Sequence, residues 1–488
     1  MTTNQILLAA TVLVPLFLGI AISLLPDRFA RPAALVVSGI VLACVSILWS
    51  RFDGSAPGMQ FEFSRPWIAE FGTAFHLGVD GLSLPMLWLT GLLTFLAVIA
   101  SRSITDRRKQ YFTLLLMLEA GLCGVFVALD LILFYLFWEV VLIPMYFLIS
   151  IWGGPKRAYA AVKFFLYTLG GSLAMLAGIL ALYLATGATT FDMTAIAAMA
   201  PKLAAGTQTA IFIAMAVGLA VKVPIFPLHT WLPDAHVEAP TAVSVLLAGV
   251  LLKMGSYGFL RLGPGMLPKG FLAIAPVLAV LAVISIVYGA AVALVQTDLK
   301  KLVAYSSISH MGYVMLGICA GTTAGIMGAG VQMFSHGLIA GLLFLLVGAV
   351  YERAHTREIS AFGGIAKITP VLAGTLVFAS FASLGLPGMS GFVGEFLVLA
   401  GSFTTYAWLT IIAAAAVILT VSYLLWMLRR VTFGPVNQAR LGMPDMTLSE
   451  AFTMAPLCVL ILVIGVFPES LLGVMKASVA TVVGMLSR

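Results

Sequence analysis

The chain has 488 residues, of which 61% are apolar and 9% are charged, with 26 Lys and Arg against 19 Asp and Glu. An ordinary soluble domain carries about 25% charged residues, so this composition excludes a soluble enzyme, a secreted domain and a disordered chain, and leaves an all-α polytopic membrane protein. The net charge of +7 forms no basic stripe, which argues against nucleic acid as a partner, and Cys44, Cys123, Cys319 and Cys458 lie far apart without ligand spacing, so no metal, disulfide or iron–sulfur centre is expected.

Recurring apolar runs predict fourteen spanning helices, at 5–25, 32–50, 78–100, 111–129, 131–151, 158–185, 208–231, 239–262, 271–294, 301–320, 326–351, 370–403, 406–428 and 450–468, with an amphipathic tail at 471–486. The first run lacks a basic flank and reads as a membrane helix, not a cleaved signal. The connection 51–77 is mixed polar and aromatic and reads as lying on one surface. Sixteen Lys and Arg fall in the connections after odd-numbered helices. Seven, including Arg488, fall on the side of the termini, and Lys163, Lys222 and Lys253 fall inside helices. This asymmetry predicts that both termini face away from the cytoplasm.

Ionisable residues inside the apolar runs are few: Glu119, Glu139, Lys163, Lys222, Lys253 and Glu395, with His310 and His336 as titratable companions. Each such group is costly in a bilayer unless it has a partner or water, so each marks a functional site by default. Glu119 and Glu139 flank Asp130, the turn between helices 4 and 5, and their spacing sets both about 13–17 Å from that turn, near mid-membrane. Either carboxylate also fits a polar helix interface. Lys222 and Lys253 are likewise equidistant from the turn at 233–240. Burial disfavours a charged lysine and a nearby glutamate favours it, so such a residue can switch protonation when its partner moves. Lys163 lies near a helix end and reads as reaching out to the cytoplasmic face.

Helix 7 contains AVKVPIFPLHTWLPDAH and helix 12 contains FASLGLPGMSGFVGEFLVL. Proline and glycine at such density break helices, and broken helices at membrane depth line buried or wet cavities. Helix 7 is the fourth of helices 4–8, and helix 12 is the fourth of helices 9–13. Five helices per set inverts the second, the pattern of an inverted-repeat transporter. The expected organisation is therefore 1–110 (helices 1–3 and a surface loop), 111–262 (first repeat), 271–430 (second, inverted repeat) and 431–488 (helix 14 and tail). His310 and His336 fit either helix-interface histidines or links between Lys253 and Glu395. His229, Asp234 and His236 cluster at the end of helix 7, at what reads as a water-facing turn, and suit loop structure or a proton exit better than a metal.

Four stretches carry a family resemblance: LFYLFWEVVLIPMYFLI (133–149), VKVPIFPLHTWLPDAHVEAPTAVSVLLAGVLLKMGSYG (221–258), QTDLKKLVAYSSISHMGYV (296–314) and LPGMSGFVGEF (386–396). Together they resemble the antiporter-like membrane subunits of respiratory complex I, NADH:quinone oxidoreductase, over nearly the whole chain. Among these the chain is most similar to the NuoM type, the counterpart of mitochondrial subunit 4. Glu395 stands where the NuoL and NuoN types and the Mrp antiporters usually carry lysine. The short segment after the last span also argues against the NuoL type, which has a long lateral helix.

The resemblance implies proton translocation through Glu139, Lys222, Lys253 and Glu395, with His310 and His336 connecting them and Glu119, His229 and His236 auxiliary. It implies no cofactor in this chain, with FMN, iron–sulfur clusters and quinone held by other subunits. It implies NuoL-type and NuoN-type neighbours, the lipid bilayer and protons as partners. A direct Glu139–Lys222 pair at about 4 Å would contribute roughly 4 kcal/mol at an effective dielectric near 20, about three decades in proton affinity. The rival readings are an Mrp-type cation/proton antiporter subunit, a membrane-bound hydrogenase subunit, and a membrane scaffold with a silent relay.

Overall fold

The computed structural model describes residues 1–486; Arg488, counted above among the cations of the terminal side, lies outside them. The chain opens with α1 (Thr3–Ile22) and α2 (Asp27–Arg51). The connection that follows is not irregular. Gln60–Ile68 (β1) and Thr73–Val79 (β2) pair as an antiparallel hairpin, so the purely helical expectation misses two strands, and the next helix, α3 (Ser83–Ala100), starts five residues later than the apolar run suggests.

The remaining helices are α4 (Arg108–Val127), α5 (Leu131–Val140), α6 (Leu142–Trp152), α7 (Arg157–Ala185), α8 (Met193–Met199), α9 (Ala205–Lys222), α10 (Trp231–Glu238), α11 (Thr241–Leu246), α12 (Leu252–Leu262), α13 (Pro268–Leu294), α14 (Leu299–Ala320), α15 (Thr323–Ala354), α16 (Pro370–Ser383), α17 (Ser390–Phe403), α18 (Ala407–Val431), α19 (Leu448–Val466) and α20 (Glu469–Leu486). Among the described residues, 14 helices are long and apolar enough to cross a membrane. That number includes α20 and omits the expected twelfth span, which divides into α16 and α17. α20 runs along one face instead of crossing. Gly81 donates to Ser478 Oγ, Met475 packs on Gly330, and Leu486 reaches Gly321, so its whole length touches segments on the terminal side. Gly81 admits no side chain, because a Cβ there would meet the Val474 carbonyl at 2.1 Å.

Four spans are interrupted. α5 stops at Val140 and α6 resumes at Leu142; Pro144 has no N–H to close the turn across that junction. α9 and α10 are separated by 223–230, with Pro224 and Pro227 in the gap, and α16 and α17 by 384–389, with Gly385 and Gly388 at positive φ. Between α11 and α12 the backbone passes through a π-helical turn, Leu247–Leu251, which leaves carbonyls without regular helical partners.

The inverted repeat, invisible to residue-by-residue comparison, shows in the backbone. Asp130 caps α5, Leu131 N–H donates to Phe191 and Met193 N–H returns to Leu129. Asp298 caps α14, Leu299 N–H donates to Arg357 and Ile359 N–H returns to Thr297. The same two-way clasp therefore joins helix 5 to the loop after helix 6, and helix 10 to the loop after helix 11, on opposite faces.

The clasp at Asp130 also holds the hairpin. His76 lies between two carboxylates, with Nδ1 2.5 Å from Asp192 and Nε2 3.2 Å from Glu62, while Ala74 N–H donates to Asp130. Burial by itself disfavours the imidazolium, but the two carboxylates outweigh it and raise the His76 pKa. Asp192 is also partly desolvated, yet its hydrogen bonds to His76, Thr194 and Ala195 hold it down at about 2.

Candidate functional site

The four expected charged residues each sit beside one of the four helix interruptions. Lys222 is the last residue of α9, and a cation there meets the negative end of a half-helix. Its side chain is buried, with Nζ 5.4 Å from the Trp138 ring centre and 5.8 Å from that of Phe164. Glu139, one residue before the end of α5, is only half-buried. It is the acid whose field acts on Lys222, yet the two make no ion pair and Glu139 Oε1 has no hydrogen-bond partner among the described residues. The direct 4 Å contact is thus corrected to a longer-range pairing, because the Trp138 and Phe164 rings surround the amine.

Lys253 follows the π-helical turn and is fully buried. Its Nζ donates to the Ala248 carbonyl, one of those loosened by the turn, and lies 2.7 Å from His336 Nδ1. No carboxylate is bonded to it among the described residues. The two lysines share a depth, as their spacing predicts: Gly255 packs on Val223, where an added Cβ would meet Val223 Cγ2 at 2.6 Å.

His336 and His310 face each other with ring centres 5.6 Å apart. His310 Nδ1 is 2.9 Å from Glu395 Oε1, and its Nε2 is 3.2 Å from Ser383 Oγ at the end of α16. Glu395 also accepts from Gln332 Nε2 at 3.2 Å. Gly385, in the second gap, faces the other carboxylate oxygen. Lys253, His336, His310 and Glu395 therefore form a buried run joining the first repeat to the second gap. Sequence reasoning misses Gln332 and Ser383, since an uncharged amide and a hydroxyl in apolar runs carry no signal of their own.

Other expectations need correction. His229 and His236 are not at a water-facing turn; both are buried, His236 stacks on Phe344 at 4.5 Å, and neither of its ring nitrogens has a partner among the described residues. Phe226 and Tyr288 pack on His229, and beside them Lys163 reaches Asp234 at 2.7 Å. Lys163 is thus ion-paired and does not simply extend to the surface. Glu119 is fully buried and both its oxygens lack hydrogen-bond partners among the described residues, so the structure does not join it to the run. Lys300, read as a loop cation, is buried at the start of α14 and donates to the Ala239 carbonyl at 2.5 Å. The Lys300–Lys301 doublet conceals this, since only Lys301 is exposed.

Comparison with known proteins identifies the fold and the family. Residues 128–421 match the family model described as NADH:quinone oxidoreductase/Mrp antiporter, TM. The chain is 46% identical over 468 residues to NADH-quinone oxidoreductase subunit M of Rhodobacter capsulatus, covering 94% of this chain and 91% of that one. It superposes on a chain of respiratory complex I from Thermus thermophilus with a TM-score of 0.90 at 34% identity, covering 98% of this chain and 99% of that one. A chain of the Mrp complex from Dietzia sp. DQ12-45-1b gives a TM-score of 0.88 with full coverage of both chains, but at 21% identity it shares the fold alone. The chain belongs to the NADH-quinone oxidoreductase subunit M family, the antiporter-like membrane-arm subunits of respiratory complex I.

Proposed function

We propose that the chain moves protons through Lys253, His336, His310 and Glu395, with the Glu139–Lys222 couple as the control element. The observation that carries this reading is the buried run itself, with contacts of 2.7 Å at one end and 2.9 Å at the other. Lys253 is bonded to an imidazole and a carbonyl and to no carboxylate among the described residues, so its proton is not locked into a pair with an acid. Half-exposed Glu139 senses a neighbouring subunit, and its position sets the charge on Lys222. That charge in turn biases Lys253, at similar depth on the packed helix α12. Coupling falls from roughly 4 kcal/mol at about 4 Å to about 2 kcal/mol at about 8 Å, still a factor of about 30 in proton affinity.

His229 and His236 serve as auxiliary titratable groups, and Glu119 as a further buried acid. The two repeats, 111–262 and 271–430, are the units that move against each other. The neighbours are NuoL-type and NuoN-type subunits, and the membrane is the bacterial inner membrane with both termini periplasmic. FMN, iron–sulfur clusters and quinone reside in other subunits, whose redox chemistry drives the relay. In the assembled complex, Glu139→Ala, Lys222→Ala and Lys253→Ala should each cut NADH-driven proton pumping while the complex still co-purifies; full pumping in all three would sink the relay.

A further inference from the structure

Each histidine of the buried run has one ring nitrogen committed to its outer neighbour. His336 Nδ1 lies 2.7 Å from Lys253 Nζ, and His310 Nδ1 lies 2.9 Å from Glu395 Oε1. With those bonds kept, a proton crossing between the two imidazoles leaves by His336 Nε2 and arrives at His310 Nε2. These two nitrogens are not bonded to each other. The ring centres stand 5.6 Å apart, and His336 Nε2 has no hydrogen-bond partner among the described residues. His310 Nε2 instead meets Ser383 Oγ at 3.2 Å. The run is therefore interrupted at its middle, and a serine stands at the interruption.

A small cavity of about 10 Å³ lies there, lined by His310, His336, Gln332, Ser383, Gly391 and Glu395. That is about the least room that holds one water molecule, and a buried water takes roughly two to four polar partners. The lining residues offer three: His336 Nε2 and Gln332 Oε1, both buried and without a partner among the described residues, and the Ser383 hydroxyl. A buried polar atom without a partner is costly unless it is used. The second gap builds this place. α16 ends at Ser383 and α17 begins at Ser390, and Gly391 sits so close to α16 that a Cβ there would collide with the Ala382 carbonyl. Ser383 itself is buried. A hydroxyl both donates and accepts, so it can take a proton on one side and pass one on at the other.

We propose that the Ser383 hydroxyl is a catalytic member of the relay, carrying the proton from a water molecule in this cavity into His310 Nε2. His336 Nε2–H gives its proton to the water oxygen. The water gives one of its own to Ser383 Oγ as the hydroxyl hydrogen passes to His310 Nε2. His310 Nδ1–H then gives its proton to Glu395. Each hop breaks one N–H or O–H bond and forms one, and no electron moves. Gln332 holds the water by its amide oxygen while its Nε2 donates to Glu395 Oε1 at 3.2 Å. The proposal rests on the relay described above.

The test measures NADH-driven proton pumping in membrane vesicles containing the assembled complex, with Lys253→Ala alongside. Threonine and valine share one shape, and only threonine has the hydroxyl. Ser383→Val should therefore pump about tenfold less than wild type, or worse, while the subunit still co-purifies. Ser383→Thr should keep most of the wild-type rate. A role in packing alone predicts that the two variants fall together, and equal pumping in the two overturns the proposal. If either does not assemble, Ser383→Ala carries the test: a fall of severalfold supports the proposal and wild-type pumping overturns it. Pumping that survives Lys253→Ala would overturn the relay itself, whereas its loss there with equal pumping in Ser383→Val and Ser383→Thr refutes only the serine step.

Discussion

A buried carboxylate is informative only through what it touches. Glu139, Glu119 and Glu395 are indistinguishable as letters in apolar runs, yet they have three environments. Glu395 is bonded to His310 and Gln332, Glu139 acts on Lys222 across a gap, and Glu119 is bonded to neither a cation nor a donor among the described residues. Replacing the Glu119 carboxyl should therefore be nearly silent. Glu119→Gln, which preserves shape, is expected to pump within about twofold of wild type, while Glu395→Gln loses the carboxylate bonded to His310 and slows severely. Pumping rates of the two variants in vesicles check this directly. The sequence marks which residues are charged at membrane depth. It marks the histidines His336 and His310 that bond Lys253 and Glu395, but not Ser383, Gln332 or the Ala248 carbonyl, because a serine, a glutamine and a backbone carbonyl are common in every helix.

At the scale of elements, each relay charge lies beside a helix interruption: Glu139 at the α5–α6 junction, Lys222 before the first gap, Lys253 after the π-helical turn and Glu395 after the second gap. The interruptions at 223–230 and 384–389 are legible, since proline and glycine state them outright. The other two are not. LIPMY offers a single proline, and LAGVL offers no breaker at all beyond one glycine, so the π-helical turn arises from tertiary packing. The hairpin at 60–79 is missed for a related reason: Phe61, Trp67 and Pro66 leave no clean alternation. The packing of α12 on the end of α9 holds the two lysines in register through Gly255. Gly255→Val should cost about 1–3 kcal/mol through overpacking and should weaken pumping more than it weakens assembly. Comparing thermal stability with pumping in that variant checks the claim; equal loss of both would contradict it.

For the whole molecule, the two clasps tie each repeat's second helix to its third, and on the terminal side the clasp is loaded with titratable groups. His76, with a raised pKa, contributes stability that is fully present below about pH 6.5, its ordinary value, and lost as pH climbs through the higher folded value. Asp192, lowered to about 2, contributes above about pH 4 and loses that contribution as pH falls toward 2. The hairpin should therefore be held most firmly between about pH 4 and 6.5. Hydrogen exchange of the 60–79 amides should speed up from pH 6 to pH 9 beyond the intrinsic rate change, and His76→Gln should abolish the excess. The architecture as a whole, with fourteen spans, two inverted units and their two gaps, was legible because hydropathy and helix breakers are properties of stretches. The clasps that recur on the two faces were not, because they are backbone hydrogen bonds between segments far apart in sequence. The central claim is that a proton passes through Lys253. Its most direct measurement is the number of protons moved per NADH oxidised by the complex in sealed liposomes, wild type against Lys253→Ala. The account predicts a fall in that ratio, or a proportional stall of turnover and pumping, with the subunit still in place. An unchanged ratio at an unchanged turnover rate would contradict it.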